Sequence, residues 1–180
     1  GIKRFLSADS SGRAQLVEEL GLGALLTDLE ALLASDADKT SNAATELAEF
    51  ALGRNQPGEA CRALRTGTTA HAYLGRNTEA ITMSQRAREL AVSAGHATEA
   101  ARALVAGMHP LCKSGRIEDA VTNGGQARTE LLEAGEDMLA ARVDLNLGNV
   151  LKAQGDAQRA LEHLDRVLEV LPSDDPIRPH

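Results

Sequence analysis

Along the last third of the chain, apolar residues recur at the spacing that places them on one face of an α-helix. This pattern predicts two amphipathic helices, at residues 138–153 and 157–170. The apolar positions are Leu147, Gly148 and Leu151 in the first segment and Ala160, Leu164 and Val167 in the second. Gly155 between them suits the left-handed residue that ends a helix, and Asp156 suits the cap that begins the next one. These residues predict a helical hairpin.

The same pattern recurs with a period of 40 residues in two independent sets of landmarks. The first set is a turn glycine with an alanine five residues later, namely Gly75, Gly115 and Gly155 with Ala80, Ala120 and Ala160. The second set is another turn glycine, namely Gly95 and Gly135. Repetition at a fixed period of this length is typical of stacked helical hairpins. We therefore expect helix pairs at residues 57–73 with 77–93, 97–113 with 117–133, and 138–153 with 157–170.

The N-terminal part of the chain fits this period less well. Segments 22–34 and 41–53 are apolar at helical spacing, and a short helix is expected near 11–19. A divergent end unit is expected because a terminal repeat faces water on one side. The predicted division is a divergent capping unit at 1–55, three repeats at 56–172 that end at Pro172, and a tail or linker at 173–180.

The composition agrees with closely packed helices. Apolar residues make up 43% of the chain, mostly alanine and leucine, and aromatic residues make up only 2%. Alanine and leucine favour helices, whereas β-branched and aromatic residues favour strands. The predicted fold class is therefore all-α.

The last hairpin resembles the tetratricopeptide repeat (TPR). The residues at the characteristic positions of that repeat are Leu147-Gly148, Leu151, Ala160, Leu164, Val167 and Pro172. Asp144 stands where the family has a tryptophan, and Val167 stands where it has an alanine. The other hairpins depart from the pattern at His71, Met108 and Gly124. The period of 40 residues is longer than the roughly 34 residues of the ordinary TPR. It is similar to the period of the longer-helix TPR arrays of signalling adaptors and bacterial regulators. The resemblance implies a right-handed superhelical α-solenoid whose first helices line a concave groove.

This resemblance leaves two functions open. The leading hypothesis is a non-catalytic protein–protein interaction module that binds a peptide segment in the concave groove. The phrases FLSADS and NLGNVL also resemble the arrays that precede caspase-like CHAT peptidase domains in bacteria. The alternative is therefore a sensor or regulatory arm of a larger effector, such as a CHAT-type peptidase or a signalling regulator, whose catalytic domain is not in this chain. The full open reading frame would separate the two.

Charge and motif content argue against other classes of protein. The net charge of −7 disfavours nucleic-acid binding through bulk charge. No apolar run approaches the roughly 18 residues that a membrane helix needs, and the first residues have no signal-peptide core. Because no Gly-rich phosphate loop, no Ser or Cys nucleophile motif and no paired-carboxylate motif is found, we expect no enzymatic activity and no cofactor. A cytoplasmic location is the default expectation, and the oligomeric state is not predicted.

The cysteines and histidines are expected to have structural places. Cys61 and Cys112 are too far apart in repeat register for a disulfide, and we expect inert thiols. His109 and Cys112 share a helix face, but a metal site needs three or four ligands and no third is found, so no metal site is predicted. We expect His71 to be a hydrogen-bonded histidine in the core. We expect His96 and His163 to lie at the surface.

Gly124 and Gly125 lie together inside a predicted helix, where each glycine costs roughly 1 kcal/mol relative to alanine. One interpretation is close helix packing or a local kink. The other is that Gly124, at a position where the TPR has an aromatic ring, leaves a pocket in the middle hairpin.

Arg62, Arg102 and Arg142 occupy one repeat position near the start of each first helix, and we refer to them as the arginine row. Equivalent residues of stacked first helices line one groove, so we expect the row to make that groove locally positive. Arginine binds carboxylates through two parallel hydrogen bonds, and asparagine can bond a peptide backbone. Asn146 matches the asparagine that peptide-binding TPR domains use. The predicted peptide-binding residues are Arg62, Arg102, Arg142, Asn146, Asn149 and His109.

The expected partner is a protein or peptide. It would present an acidic or C-terminal segment, or belong to another domain of the same protein. The alternative for the arginine row is structural: the arginines pair with Glu59, Glu99 or acidic groups of the preceding second helix and hold the units in register. The two roles can coexist.

Overall fold

Ten α-helices follow one another along residues 1–170, the part of the chain that the computed structural model describes. Their bounds are α1 Ile2–Ser7, α2 Ser10–Leu20, α3 Leu22–Leu33, α4 Ala37–Gly53, α5 Pro57–Tyr73, α6 Asn77–Ser93, α7 Ala97–Lys113, α8 Ile117–Glu133, α9 Asp137–Ala153 and α10 Ala157–Val170. Helices α5 to α10 begin and end within one residue of the ranges that the sequence predicts. No β-strand occurs within residues 1–170. The predictions for Pro172 and for the tail at 173–180 lie outside the described residues.

One type of turn joins the helices from α4 onwards. In the turn after α5, Gly75 has a φ of 71°, and the Arg76 N–H donates to the carbonyl oxygen of His71 at 2.9 Å. This left-handed residue satisfies carbonyl groups that the end of the helix would otherwise leave unpaired. The equivalent glycines Gly95, Gly115, Gly135 and Gly155 have φ between 74° and 82°. Asn55, with a φ of 55°, takes the same place after α4.

The N-terminal part differs from the sequence prediction in two ways. Helix α1 was not predicted, and it places Phe5 in the core with its ring centroid 6.1 Å from that of Phe50. Helix α4 begins earlier than residue 41, because the Asp36 carboxylate accepts a hydrogen bond from the Lys39 N–H at 3.0 Å and so caps the helix. The division of the chain into a capping unit and three repeats stays a prediction.

The helices form two layers. The first helices of the hairpins, α3, α5, α7 and α9, make one layer, and the second helices, α4, α6, α8 and α10, make the other. Each helix from α3 onwards packs against the next one along the chain, and within the first layer α3 packs against α5 and α5 against α7. Helices α7 and α9 are not packed together in this way, and a cleft lies between them. The prediction of an all-α solenoid of helical hairpins is confirmed.

Neighbouring hairpins meet where one of two facing residues is a glycine. A Cβ atom on Gly67 of α5 would lie 2.9 Å from the Cβ of Ala44, and one on Gly107 of α7 would lie 3.3 Å from the Cβ of Ser84. At the next equivalent crossing the glycine is on the other helix, because Gly124 of α8 faces Leu147 of α9. Each crossing therefore contains one residue without a side chain, which lets the two helices approach closely.

No pocket replaces the missing side chain of Gly124. A Cβ atom there would lie 2.6 Å from Leu147 Cδ2 and 2.9 Å from Met108 Cε, so these two side chains already fill the space. The interpretation of Gly124 as a pocket is therefore wrong, and close packing is the observed role. Gly125 differs, because nothing lies within 4 Å of a Cβ placed on it and its side of α8 is exposed.

The two adjacent glycines should respond to substitution in opposite directions. We expect Gly125→Ala to stabilise the protein by about 0.5–1 kcal/mol, because it lowers the entropy of the unfolded chain in an ordinary helical conformation. We expect Gly124→Leu to destabilise it by about 1–3 kcal/mol through overpacking against Leu147 and Met108. Thermal and urea unfolding of both variants would measure these changes. Stabilisation by both substitutions would show that the α8–α9 crossing is loosely packed.

Candidate functional site

The arginine row extends across two neighbouring clefts on the first-helix layer. The first cleft, between α3, α5 and α7, has a volume of about 670 Å³ and includes Arg62 and Arg102 in its lining. The second cleft, between α7 and α9, has a volume of about 440 Å³ and includes Arg102, Arg142 and Asn146. Arg102 therefore belongs to both clefts. Asn149 and His109 are exposed on α9 and α7 but line neither cleft.

In the first cleft Arg62 is neutralised by carboxylates. It donates from two guanidinium nitrogens to the two carboxylate oxygens of Glu30, each at 2.8 Å, and to the Thr27 hydroxyl at 3.0 Å. Glu59 lies 3.9 Å from the same guanidinium. The hydrogen bonds from Arg62 hold the pKa of Glu30 below its ordinary value, and those to Glu30 raise the pKa of Arg62. Arg62 is thus paired, as the structural alternative expects, but its main partner Glu30 lies on the preceding first helix α3 and not on a second helix.

Glu99 neutralises Arg102 in the wall between the clefts. One of its carboxylate oxygens accepts from Arg102 Nη1 at 3.0 Å, and the other accepts from Arg65 Nε at 3.0 Å. Arg65 also lines both clefts and was not predicted as a site residue. It lies outside the repeat position of the arginine row, because the equivalent residues are Val105 and Leu145. Only the contact with Glu99 reveals its place.

Arg142 differs from the other two members of the row. It is exposed and makes no ion pair with any residue in the described part of the chain. Its helix position explains the difference, because the residue three positions earlier is Leu139, whereas Glu59 and Glu99 precede Arg62 and Arg102 at that spacing. The expectation of three cationic side chains that make the groove positive needs correction: two are paired and one is not. The repeat alignment contained this signal.

The second cleft combines an apolar surface with unsatisfied polar groups. Its lining residues are Arg65, Arg102, Val105, Ala106, Leu131, Leu139, Arg142, Val143 and Asn146. None of them is acidic. Pro110 lies inside α7 and has no N–H, so the carbonyl oxygen of Ala106 lacks its ordinary helical donor. The cleft therefore has aliphatic side chains, a guanidinium without an ion pair among residues 1–170, and an amide.

A cluster of charged side chains around the buried Asp144 connects α9 to α8 and α10. The side chain of Asp144 is 3% exposed, and its two oxygens lie 2.6 Å from Arg128 Nε of α8 and 2.7 Å from His163 Nδ1 of α10. Arg166 Nη1 lies 3.7 Å from the same carboxylate. The prediction that His163 is a surface residue is wrong, because its side chain is only 16% exposed and takes part in this cluster. One carboxylate thus joins three consecutive helices and positions the helix that carries Arg142 and Asn146.

The remaining histidine and cysteine side chains give a mixed result. His71 is half-buried, but its Nδ1 atom has no hydrogen-bond partner, so the prediction of a hydrogen-bonded core histidine is wrong for this atom. His96 is exposed as predicted. Cys61 is buried, and burial raises the pKa of its thiol to about 11, which keeps it protonated at neutral pH. No group of three His, Cys, Asp or Glu side chains within residues 1–170 is placed to hold a metal ion.

Comparison with known proteins gives the fold. No protein-family model matches the chain, and no curated protein matches it. The crystal structure of Rap protein complexed with Competence and Sporulation Factor has a TM-score of 0.74 and 15% identity, over 87% of this chain and 43% of that chain. The crystal structure of BtubC (BKLC) from P. vanneervenii has a TM-score of 0.71 and 17% identity, over 100% of this chain and 77% of that chain.

These similarities establish a TPR-like helical repeat fold. At such identities they carry the architecture alone. This chain spans less than half the length of the Rap protein chain. None of the helices in residues 1–170 combines the length and apolarity needed to span a membrane.

Removal of Asp144 should destabilise the end of the solenoid. We expect Asp144→Ala to lower the free energy of unfolding by about 1.5–3 kcal/mol, because the partly exposed Arg128 and His163 would lose their hydrogen bonds to a charged acceptor. Asp119→Ala is the matched control, since Asp119 forms an exposed pair with Arg116 three residues earlier on the chain. That control should change stability by only about 0–1 kcal/mol. Equal effects of the two substitutions in urea unfolding would contradict a stabilising role for the cluster.

Proposed function

We propose that this chain is a non-catalytic protein-interaction module that binds a peptide segment in the second cleft, between α7 and α9. The observation that carries this proposal is the residue three positions before each arginine of the row. It is Leu139 before Arg142, whereas a glutamate precedes the other two arginines. This single difference leaves a guanidinium without a carboxylate and makes the neighbouring wall of the cleft aliphatic.

The chemistry of the cleft favours a ligand with a carboxylate next to an aliphatic side chain. Arg142 would bind the carboxylate through charge-assisted hydrogen bonds, and the Asn146 amide lies one helical turn further along α9. Leu139, Val105 and Ala106, the partly exposed apolar residues of the cleft, would bury the aliphatic group. Acidic segments and free C-termini both fit this description.

Arg62, Arg102, Asn149 and His109 have smaller parts in this proposal than the sequence suggested. Arg62 and Arg102 are engaged by Glu30 and Glu99, so a ligand would have to displace these carboxylates. Asn149 and His109 lie outside the second cleft and could contact only a segment that extends beyond it. The Rap protein, solved in complex with Competence and Sporulation Factor, supports the use of this fold for binding.

The alternative, a regulatory arm of a larger effector such as a CHAT-type peptidase, uses the same surface. In that case the bound segment would belong to another domain of the same protein. The two versions differ in the source of the segment and share the proposed cleft.

The position of Leu139 gives the sharpest test of the binding site. Arrayed synthetic peptides with aliphatic residues next to an acidic residue or a free C-terminal carboxylate would supply the ligands, and fluorescence anisotropy would measure affinity. We expect Leu139→Glu to weaken binding about tenfold or more, because it gives Arg142 the intrahelical partner that Arg62 and Arg102 have. Leu139→Gln is the control for loss of aliphatic surface alone and should weaken binding less.

Arg142→Glu should weaken the binding of the same peptides at least as strongly as Leu139→Glu does. The difference in affinity between this variant and the unmodified chain should shrink as the salt concentration is raised. Arg62→Glu, which changes an arginine paired outside the second cleft, should have a smaller effect. Peptides that bind equally well to the Leu139→Glu, Arg142→Glu and unmodified chains would place the binding site elsewhere.

A further inference from the structure

A row of leucines lies on α10, the last helix that the structure describes. Leu161 is 59% exposed and Leu168 is 37% exposed. Leu164 between them is partly buried, because its side chain packs over Gly148 of α9. None of the three leucines lines either cleft. We refer to Leu161, Leu164 and Leu168 as the α10 leucine row.

The equivalent side of the inner second helices is in contact with the next hairpin. Ile81 of α6 and Val121 of α8 stand at the repeat position of Leu161, and both are partly buried. Ile81 packs against a core cluster whose buried residues all belong to α7, α8 and α9. Leu161 has no following hairpin within residues 1–170 and is more exposed for that reason.

Leu168 adds apolar surface where the inner hairpins have a charge. The equivalent residues Arg88 and Arg128 pair with carboxylates of the following hairpin, those of Glu130 and Asp144. A terminal hairpin that meets only water needs a polar outer face, so an arginine would suit it at this position. The leucine instead indicates that this side of α10 makes an apolar contact.

The N-terminal end of the solenoid offers no matching surface for this contact. Helices α1 and α2 pack against α3 and bury their own apolar residues there, namely Ile2, Phe5, Leu16 and Val17. The last hairpin of one copy therefore finds no open first-helix face at the N-terminal end of another copy. This closed end disfavours head-to-tail assembly, whereas a twofold axis brings the same face of two copies together.

The spacing of the leucine row suits the pairing of two identical helices. Three and then four positions separate the leucines, which is the spacing of the seam between two packed helices. Helix α10 contacts α9 through other residues, which include the buried Ala160 and Val167. The residues that follow α10, at 171–180, contain two large aliphatic residues and three prolines. A second copy thus offers more apolar surface to the leucine row than these ten residues do.

We propose that the α10 leucine row is the interface of a homodimer, in which the α10 helices of two copies pack against each other across a twofold axis. Each copy would bury its leucines against those of the other. The interface is separate from both clefts, so the proposal does not depend on the peptide-binding function.

The mass of the full chain in solution tests the proposal. Size-exclusion chromatography with light scattering and sedimentation equilibrium should give twice the mass of one chain at micromolar concentrations. Leu161→Glu should raise the dissociation constant of the dimer by about a hundredfold or more, because a twofold interface loses the leucine from both copies. Leu168→Arg restores the residue of the inner hairpins and should also favour the monomer.

Val92→Glu is the matched control. Val92 lies on α6 and is 58% exposed, so this substitution places the same charge at an equally exposed aliphatic position outside the leucine row. It should leave the dissociation constant unchanged. Circular dichroism of the three variants should show that each is folded, as expected for substitutions at exposed positions.

A single-chain mass at every concentration would overturn the proposal. In that case slow thiol labelling of a Leu161→Cys variant would show that residues 171–180 cover the row, and fast labelling would show that the row is open to a different protein. A dimer that persists in both Leu161→Glu and Leu168→Arg would place the interface elsewhere and overturn it as well. Equal dissociation by Val92→Glu would have the same consequence, because the effect would then come from added charge in general.

Discussion

Neighbouring hairpins of the solenoid approach each other closely at a glycine. At each equivalent crossing one helix presents no side chain, so that the facing residue can occupy the space between the two axes. Gly67 and Gly107 provide this space from the first-helix layer, and Gly124 provides it from the second-helix layer. Because alanines fill most of the surrounding core, little side-chain volume is available to compensate for a larger residue at these points.

The exchange at the last crossing coincides with a change in the first-helix layer. Where the glycine is on α5 or α7, successive first helices pack directly against each other. Where it moves to α8, the larger residue Leu147 is on α9, and α7 and α9 are separated by the second cleft. The larger residue at the last crossing thus belongs to α9, the helix that forms one wall of the second cleft. The Asp144 cluster then holds that helix from behind.

The sequence predicts those parts of the fold that depend on local signals. Turn glycines and the alanines that follow them locate α5 to α10 closely, because they determine helix ends through backbone conformation alone. Helix α1 was missed because its stability comes from the burial of Phe5 against distant residues such as Phe50. The position of His163 was missed for a similar reason, since it depends on a carboxylate one helix away. Asp144 stands at a position that holds Leu64 and Leu104 in the other hairpins, and this departure is the sequence signal of the cluster.

The candidate sites arise from single departures within an otherwise repeated pattern. A glutamate three positions before an arginine neutralises that arginine within its own helix, as Glu99 does for Arg102. A leucine at the same position changes two properties at once, because it removes the negative charge and adds aliphatic surface beside the guanidinium. Histidine at residue 71, where the other hairpins have Leu111 and Leu151, adds a buried polar atom that has no hydrogen-bond partner among the described residues. A repeat array keeps its fold through the positions that are equivalent in every hairpin, so chemical specificity can develop only at positions that differ. Alignment of the hairpins with one another therefore locates candidate sites more directly than a search for residue types.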